Sequence, residues 1–222
     1  MDYFHKSTRG ETLVVTLSNP PYNTVHSDIL EAGASMFEDL ASDPPAGGVV
    51  LTGEGEDFTR GMDTKVAATL DADSAARTRR AFDTFCAALH RLPCALISAL
   101  NGHAIGAGGI VALCSDWVVA SDTDQRIGLP EAKAGLPFPS VPQAILDHWL
   151  DPVWRRRLAL TSQLLGPQDA MEAGLVDEIV APDSLLDTAA TRASEMNAQP
   201  GFAACKRQLR ARANAEIDAL LA

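Results

Sequence analysis

The sequence has few cysteines and none of the spacings that cysteine chemistry requires. Its four cysteines are Cys86, Cys94, Cys114 and Cys205. They form no C-x-x-C pair and no Cys/His pattern typical of a metal site. Three of them lie in apolar runs, so we expect reduced cysteines in the core of a cytosolic protein, with no metal site.

The sequence also lacks a long apolar run, a secretory leader and an excess of positive charge. Its uncharged apolar runs are too short to span a bilayer, and the N-terminal segment MDYFHKSTRG has no long apolar centre. The formal charge at pH 7 is −11, with 18 Lys and Arg against 29 Asp and Glu. These deficits argue against membranes and nucleic acids as partners and predict a soluble, cytoplasmic protein.

What the chain does have is enough apolar residues for a large core. Its 222 residues are 46% hydrophobic, and no low-complexity linker divides them. Short apolar runs bounded by glycine or proline alternate with segments of helical spacing, which predicts an α/β fold. The predicted strands are Thr12–Leu17, Gly48–Leu51, Ala95–Leu100, Trp117–Ala120, Ile127–Leu129 and Leu175–Val180. The first predicted helix has Ser27 as its N-cap, a second carries Phe82 and a third begins near Ala107. Further helices are predicted over Pro139–Leu150, from Pro152, over Gln168–Ala173 and over most of the chain after Val180. The stretch from Thr52 to Lys65 is predicted as a loop.

The most informative stretch is CALISALNGHAIGAGGIVALCSD, from Cys94 to Asp116. It predicts a buried strand, a glycine-rich loop and a helix that begins near Ala107. The glycines allow the backbone to approach a ligand closely, and a helix start presents unpaired N–H groups. Such a corner suits an anion or a developing oxyanion.

A loop of this composition also has two other interpretations. A dinucleotide-binding loop would need a third glycine at Val111, and the chain has no Gly-Lys-Ser/Thr of a phosphate-binding loop, so the spacing argues against both kinds of nucleotide loop. Close packing of backbone without any ligand stays open on this stretch alone.

Five ordered segments resemble the crotonase superfamily, which includes the enoyl-CoA hydratases and isomerases. The resemblance implies a spiral of repeated ββα units, with a core domain over residues 1–182 and a shortened helical C-terminal region over residues 183–222. It also implies a homotrimer or hexamer and an acyl-CoA thioester as substrate, with coenzyme A as part of that substrate and no separate cofactor. The segments are LSNPPYNTVHSDI, VVLTGEGEDFTRGMDTK, NGHAIGAGGIVALCSD, RIGLPEAKAGL and LLGPQDAMEAGLVDEIVAP.

The resemblance assigns an oxyanion hole to two backbone N–H groups. One belongs to Met62, in FTRGMD, and the other to Ala107, which stands where relatives have the middle glycine of three. Its N–H can serve as donor if the alanine adopts the required backbone dihedrals. Each such donor contributes on the order of 10²–10³ in rate.

The resemblance also implies a single catalytic carboxylate. Hydratases of the superfamily carry two glutamates, and here Ile110 stands at the first position and Glu131 at the second. One carboxylate can move a proton between two carbons, so the pattern favours double-bond isomerisation, and burial in an apolar cleft would raise the pKa of Glu131. Hydration, and acyl-CoA binding without catalysis, stay open as alternatives.

Four further residues are predicted by resemblance to contact coenzyme A. The backbone of Thr24 and Val25 matches a segment that touches the adenine. Lys65 stands near the phosphates in relatives, and Lys206 is placed within reach of the coenzyme A of a neighbouring subunit.

Overall fold

The computed structural model describes residues 3–222 and has a mixed α/β fold with a helical C-terminal region, as predicted. Its larger sheet has six described strands. The first pair is antiparallel and every later pair is parallel. In spatial order these strands are β1 (Phe4–Arg9), β2 (Thr12–Leu17), β3 (Val49–Gly53), β5 (Leu96–Leu100), β7 (Trp117–Ser121) and β10 (Glu178–Val180).

A second, smaller sheet was not predicted as a sheet. Its strands are only two or three residues long, so their alternation is too brief to stand out from a loop. Within this sheet β4, β6 and β8 are parallel neighbours, and β9 pairs with β8 in the antiparallel sense. The strands are β4 (Asp57–Thr59), β6 (His103–Ile105), β8 (Ile127–Gly128) and β9 (Leu164–Leu165).

The described helices lie between the strands along the chain and after the last strand, and most predicted helices are confirmed. The first helix has His26 as its N-cap, so Ser27, the predicted cap, is instead its first residue. The helices are α1 (Ser27–Ser42), α2 (Thr64–Ala67), α3 (Ala72–Arg91), α4 (Ala107–Leu113), α5 (Glu131–Ala134), α6 (Ser140–Trp149), α7 (Pro152–Thr161), α8 (Pro167–Glu172), α9 (Leu185–Asn197) and α10 (Phe202–Leu221).

Three successive ββα units make up the centre of the fold. The chain passes from a strand of the larger sheet to one of the smaller sheet and then to a helix, as β3–β4–α2, β5–β6–α4 and β7–β8–α5. This confirms the predicted spiral. Because the ends of parallel strands meet at one edge of a sheet, the segments that follow β4, β6 and β8 lie side by side.

The larger sheet is covered on both faces. Successive side chains of a strand point to opposite faces, and one face packs against α9, whose inward residues include Leu185, Ala189 and Ala193. The strand residues on that face are Val14, Val50, Ile97, Ala99 and Val119.

Among the helices of residues 3–222, none is both long and apolar enough to cross a bilayer.

Candidate active site

The glycine-rich loop has the unusual backbone that the sequence predicts, but at Gly106. Its φ of 60° and ψ of −116° lie in a region that L side chains rarely adopt, and its N–H donates to the Gly128 carbonyl at 2.9 Å. Ala107 is the first residue of α4 and is helical. The alanine is therefore accepted because the strained dihedrals fall on the preceding residue.

Glycines also allow the loop after β4 to pack directly on the start of α4. A Cβ added to Gly61, whose φ is 73°, would lie 2.6 Å from the Ile105 carbonyl oxygen, and one added to Gly108 would lie 2.4 Å from the Thr59 carbonyl oxygen. Real side chains do not fit at such distances. Only a backbone without Cβ atoms brings residue 62 beside Ala107.

Met62 and Ala107 both line one cavity of about 200 Å³. Within the described chain, no backbone carbonyl accepts a hydrogen bond from either of their N–H groups. Val25 holds Met62 in place, because Val25 forms a parallel bridge with it and donates its N–H to the Gly61 carbonyl at 3.0 Å. Two residues of one cavity thus have backbone N–H groups without a backbone carbonyl partner, and an oxyanion hole is built from donors of this kind.

Glu131 lines the same cavity. It is the first residue of α5, which follows β8, and a Cβ on Gly106 would lie 3.2 Å from its Oε1 atom. Its Oε2 atom is buried and has no hydrogen-bond partner among residues 3–222. Burial raises the pKa of Glu131 to about 7, because a carboxylate loses water on entering an apolar site.

The rest of the cavity wall is mostly apolar. Of the described residues that line it, Glu131 is the single carboxylate. Ile110 is fully buried in the core, so that position offers no second acid. Two arginines that sequence analysis did not select, Arg60 and Arg79, also line the cavity; no short motif marks them.

The structure places two of the four residues predicted to contact coenzyme A, Val25 and Lys65, beside residues that line this cavity. The Thr24 carbonyl accepts from Asn19 Nδ2 at 2.6 Å, and Val25 adjoins Met62. Lys65 is exposed on α2, and its neighbour Thr64 lines the cavity. Their contact with coenzyme A stays a prediction.

The structure corrects the placement of Lys206. Its side chain is 6% exposed and its Nζ donates to Asp116 Oδ2 at 2.6 Å and to the Cys94 carbonyl at 2.8 Å. An ammonium group held in the interior of the chain is not free to contact a ligand outside it. Its partner Asp116 has a side chain that is 8% exposed.

Residues 3–222 contain no group of three or more His, Cys, Asp or Glu side chains placed to hold a metal ion. All four cysteines are free thiols, three buried and one exposed. The candidate groups at the cavity are the backbone N–H groups of Met62 and Ala107 and the carboxylate of Glu131.

Comparisons with known proteins find a matching family, similar sequences and similar structures. The sequence model of the enoyl-CoA hydratase/isomerase family matches residues 8–221. A probable enoyl-CoA hydratase of Mycobacterium tuberculosis is 32% identical over 181 residues, 80% of this chain and 67% of that protein. The carnitinyl-CoA dehydratase of Escherichia coli K12 is 29% identical over 193 residues, 86% of this chain and 73% of the relative. The human mitochondrial delta3-delta2-enoyl-CoA isomerase superposes with a TM-score of 0.88 over 99% of this chain and 91% of its own, at 22% identity, a likeness of fold.

Proposed function

Since this chain belongs to the enoyl-CoA hydratase/isomerase family, we propose that it is an enoyl-CoA isomerase that moves a carbon–carbon double bond along the acyl chain of a coenzyme A thioester. One observation carries the proposal. The cavity that holds the two candidate oxyanion donors, Met62 and Ala107, is lined by one carboxylate among the described residues, that of Glu131.

The proposed reaction balances with these groups alone. The Glu131 carboxylate removes a proton from C2 of a 3-enoyl thioester, and the electron pair of that C–H bond forms a dienolate. The N–H groups of Met62 and Ala107 donate to the thioester oxygen as it becomes negative. Protonated Glu131 then gives its proton to C4, which leaves the double bond between C2 and C3.

The environment of Glu131 suits both halves of this transfer. A group that first accepts and then donates a proton works best when its pKa lies near the working pH. Burial raises the pKa of Glu131 to about 7. Apolar walls that exclude water also protect the dienolate from stray protonation.

Hydration is the second candidate, and the names of the hydratase and dehydratase relatives favour it. It needs a group that positions and activates water in addition to an acid. Ile110 is fully buried and apolar where a second acid is expected by resemblance. We therefore rank isomerisation first.

The test presents 3-enoyl-CoA and 2-enoyl-CoA separately to the purified protein. We expect the 3-enoyl ester to become the 2-enoyl ester, with slow or no hydration of the 2-enoyl ester. Glu131→Gln should lower isomerisation by about 10²–10⁴-fold, because it removes the proton carrier while keeping the side-chain volume. Product chromatography measures both reactions.

Glu172→Gln is the matched control, because Glu172 is exposed at the end of α8 and does not line the cavity. It should behave as wild type. Rapid hydration that is equal in wild type and Glu131→Gln would contradict both the reaction and the role of Glu131.

A further inference from the structure

The C-terminal helix α10 sends two cationic side chains into the interior. Arg210 is 1% exposed and Lys206 is 7% exposed. Burying a charge is costly unless it is paired and hydrogen-bonded. The partners of these two residues therefore indicate what they hold in place.

Arg210 holds the carboxyl end of α4. Its Nη1 donates to the Cys114 carbonyl at 3.1 Å, and its Nη2 donates to the Ser115 carbonyl at 3.0 Å and to Asp116 Oδ1 at 2.7 Å. The last carbonyls of a helix lack partners within it, and a cation there also opposes the negative end of the helix dipole. Arg210 supplies both the hydrogen-bond donors for these carbonyls and the positive charge near the helix end.

Lys206 holds the segment that leads into the site from the other side. It donates to Asp116 Oδ2 and to the carbonyl of Cys94. The same Oδ2 accepts the N–H of Leu96 at 2.8 Å, and the Asp116 N–H donates to the Leu96 carbonyl at 2.8 Å. Leu96 begins β5, so this cluster joins the start of β5 to the end of α4.

The cluster of Asp116, Lys206 and Arg210 thus fixes both ends of the strand, loop and helix that carry Ala107. Helix α4 has seven residues and is about 10 Å long at 1.5 Å per residue. So short a helix moves as a rigid rod, and a tilt at Asp116 displaces the N–H of Ala107. Displacements near 1 Å can cost about 10²-fold in rate.

We propose that Lys206 and Arg210, acting through Asp116 and the end of α4, are positioning residues for the oxyanion donor at Ala107. This role rests on the proposed function and adds residues that lie outside the cavity. It also gives a reason for two buried cations around one carboxylate.

The balance of charge shows which variant tests the positioning role with the smallest loss of stability. Removing Arg210 leaves carbonyls unpaired at the end of α4, whereas removing the Lys206 charge leaves Asp116 and Arg210 as a balanced pair. Lys206→Met keeps the length of the side chain and removes only its ammonium group. It is the main test variant.

The experiment measures the strength of the oxyanion contact directly. A saturated acyl-CoA, labelled with ¹³C at the thioester carbon, is bound to each variant, and its carbonyl stretching band is read by difference infrared spectroscopy. Lys206→Met should bind with little change in affinity but shift the band back toward its position in free solution. Isomerase kcat should fall about tenfold with KM nearly unchanged.

Two variants complete the design. Arg212→Met removes an exposed cation from the same helix and should leave band, kcat and KM as in wild type. Lys206→Arg keeps the charge and should restore most of the band shift. If Lys206→Met does not fold, Lys206→Gln takes its place under the same criteria.

A folded Lys206→Met with the wild-type band and the wild-type kcat overturns the positioning role. If wild type isomerises no enoyl ester but still shifts the carbonyl band, the proposed reaction is wrong, and the band of Lys206→Met alone decides the positioning role.

Discussion

At the scale of the residue, Glu131 determines how the reaction depends on pH. Its carboxylate must be ionised to accept the first proton, and burial raises its pKa to about 7. We expect kcat/KM for a 3-enoyl ester to fall about tenfold per pH unit below pH 7 and to level off above it. Steady-state rates between pH 5 and 9 measure this profile, and the ¹³C signal of the Glu131 carboxyl should titrate at the same pH.

The assignment of that pKa needs two variants. The carboxyl signal that titrates near pH 7 should disappear in Glu131→Gln and stay in Glu172→Gln. A profile that is flat from pH 5 to pH 8 would show that the ionisation of Glu131 does not limit the reaction.

Residues differ in how far their roles can be read from sequence. Glu131 stands in a local motif, where a short strand ends in Gly-Leu-Pro-Glu, and the resemblance of this motif to the family's predicted its role as the catalytic carboxylate. Lys206 could not be placed in this way, because its partner Asp116 lies 90 residues earlier and only the folded chain brings them together. Its sequence neighbours on α10 are those of an ordinary exposed lysine.

At the scale of the element, the backbone conformation at the start of α4 requires glycine at residue 106 but accepts alanine at residue 107. Gly106→Ala would place an alanine at φ 60° and a Cβ 3.2 Å from Glu131 Oε1. We expect a loss of about 1–3 kcal/mol in the free energy of unfolding and a large loss of kcat, because strained backbone of this kind is costly and the oxyanion donor follows it directly. Urea unfolding and isomerase assays measure both effects.

Ala107→Gly is the matched control, one residue away. Ala107 is already helical, so glycine should cost no more than about 1 kcal/mol and keep the N–H donor and most of the activity. The reverse order, with Gly106→Ala harmless and Ala107→Gly inactivating, would contradict the account of the loop.

Elements were predicted best where their patterns were long. The strand over Leu96–Leu100 and the start of α4 at Ala107 followed from an apolar run and a glycine cluster. Strands β4 and β6 were missed because each has three residues and their pairing joins segments more than 40 residues apart. Those two strands bring Met62 to Ala107, so the geometry of the site depended on contacts that no local pattern contains.

At the scale of the whole molecule, the buried groups His90 and Glu131 change the free energy of unfolding in opposite directions as pH falls. His90 joins three helices: its Nε2 accepts the Trp149 indole N–H at 3.2 Å, so its Nδ1–H donates to Asn214 Oδ1 at 2.9 Å. Burial, with Arg210 nearby, lowers the pKa of His90 to about 3, whereas burial raises the pKa of Glu131 to about 7.

The signs follow from which state binds the proton. Between pH 6.5 and 4.5 the unfolded chain protonates His90 and the folded chain does not, so His90 lowers the free energy of unfolding as pH falls. Over nearly the same range the folded chain protonates Glu131 and the unfolded chain does not, so Glu131 raises the free energy of unfolding as pH falls. Each effect is at most about 1.4 kcal/mol per pH unit, and together they nearly cancel.

Single variants should therefore reveal each effect. Relative to wild type, His90→Gln should gain about 3 kcal/mol in the free energy of unfolding as pH falls from 7.5 to 4.5, and Glu131→Gln should lose a similar amount. His5→Gln, at an exposed position on β1, should follow wild type. Urea unfolding at a series of pH values gives these differences. Parallel curves for wild type and His90→Gln would mean that His90 has the same pKa in the folded and the unfolded chain, and burial in the network joining α3, α6 and α10 would then not lower it.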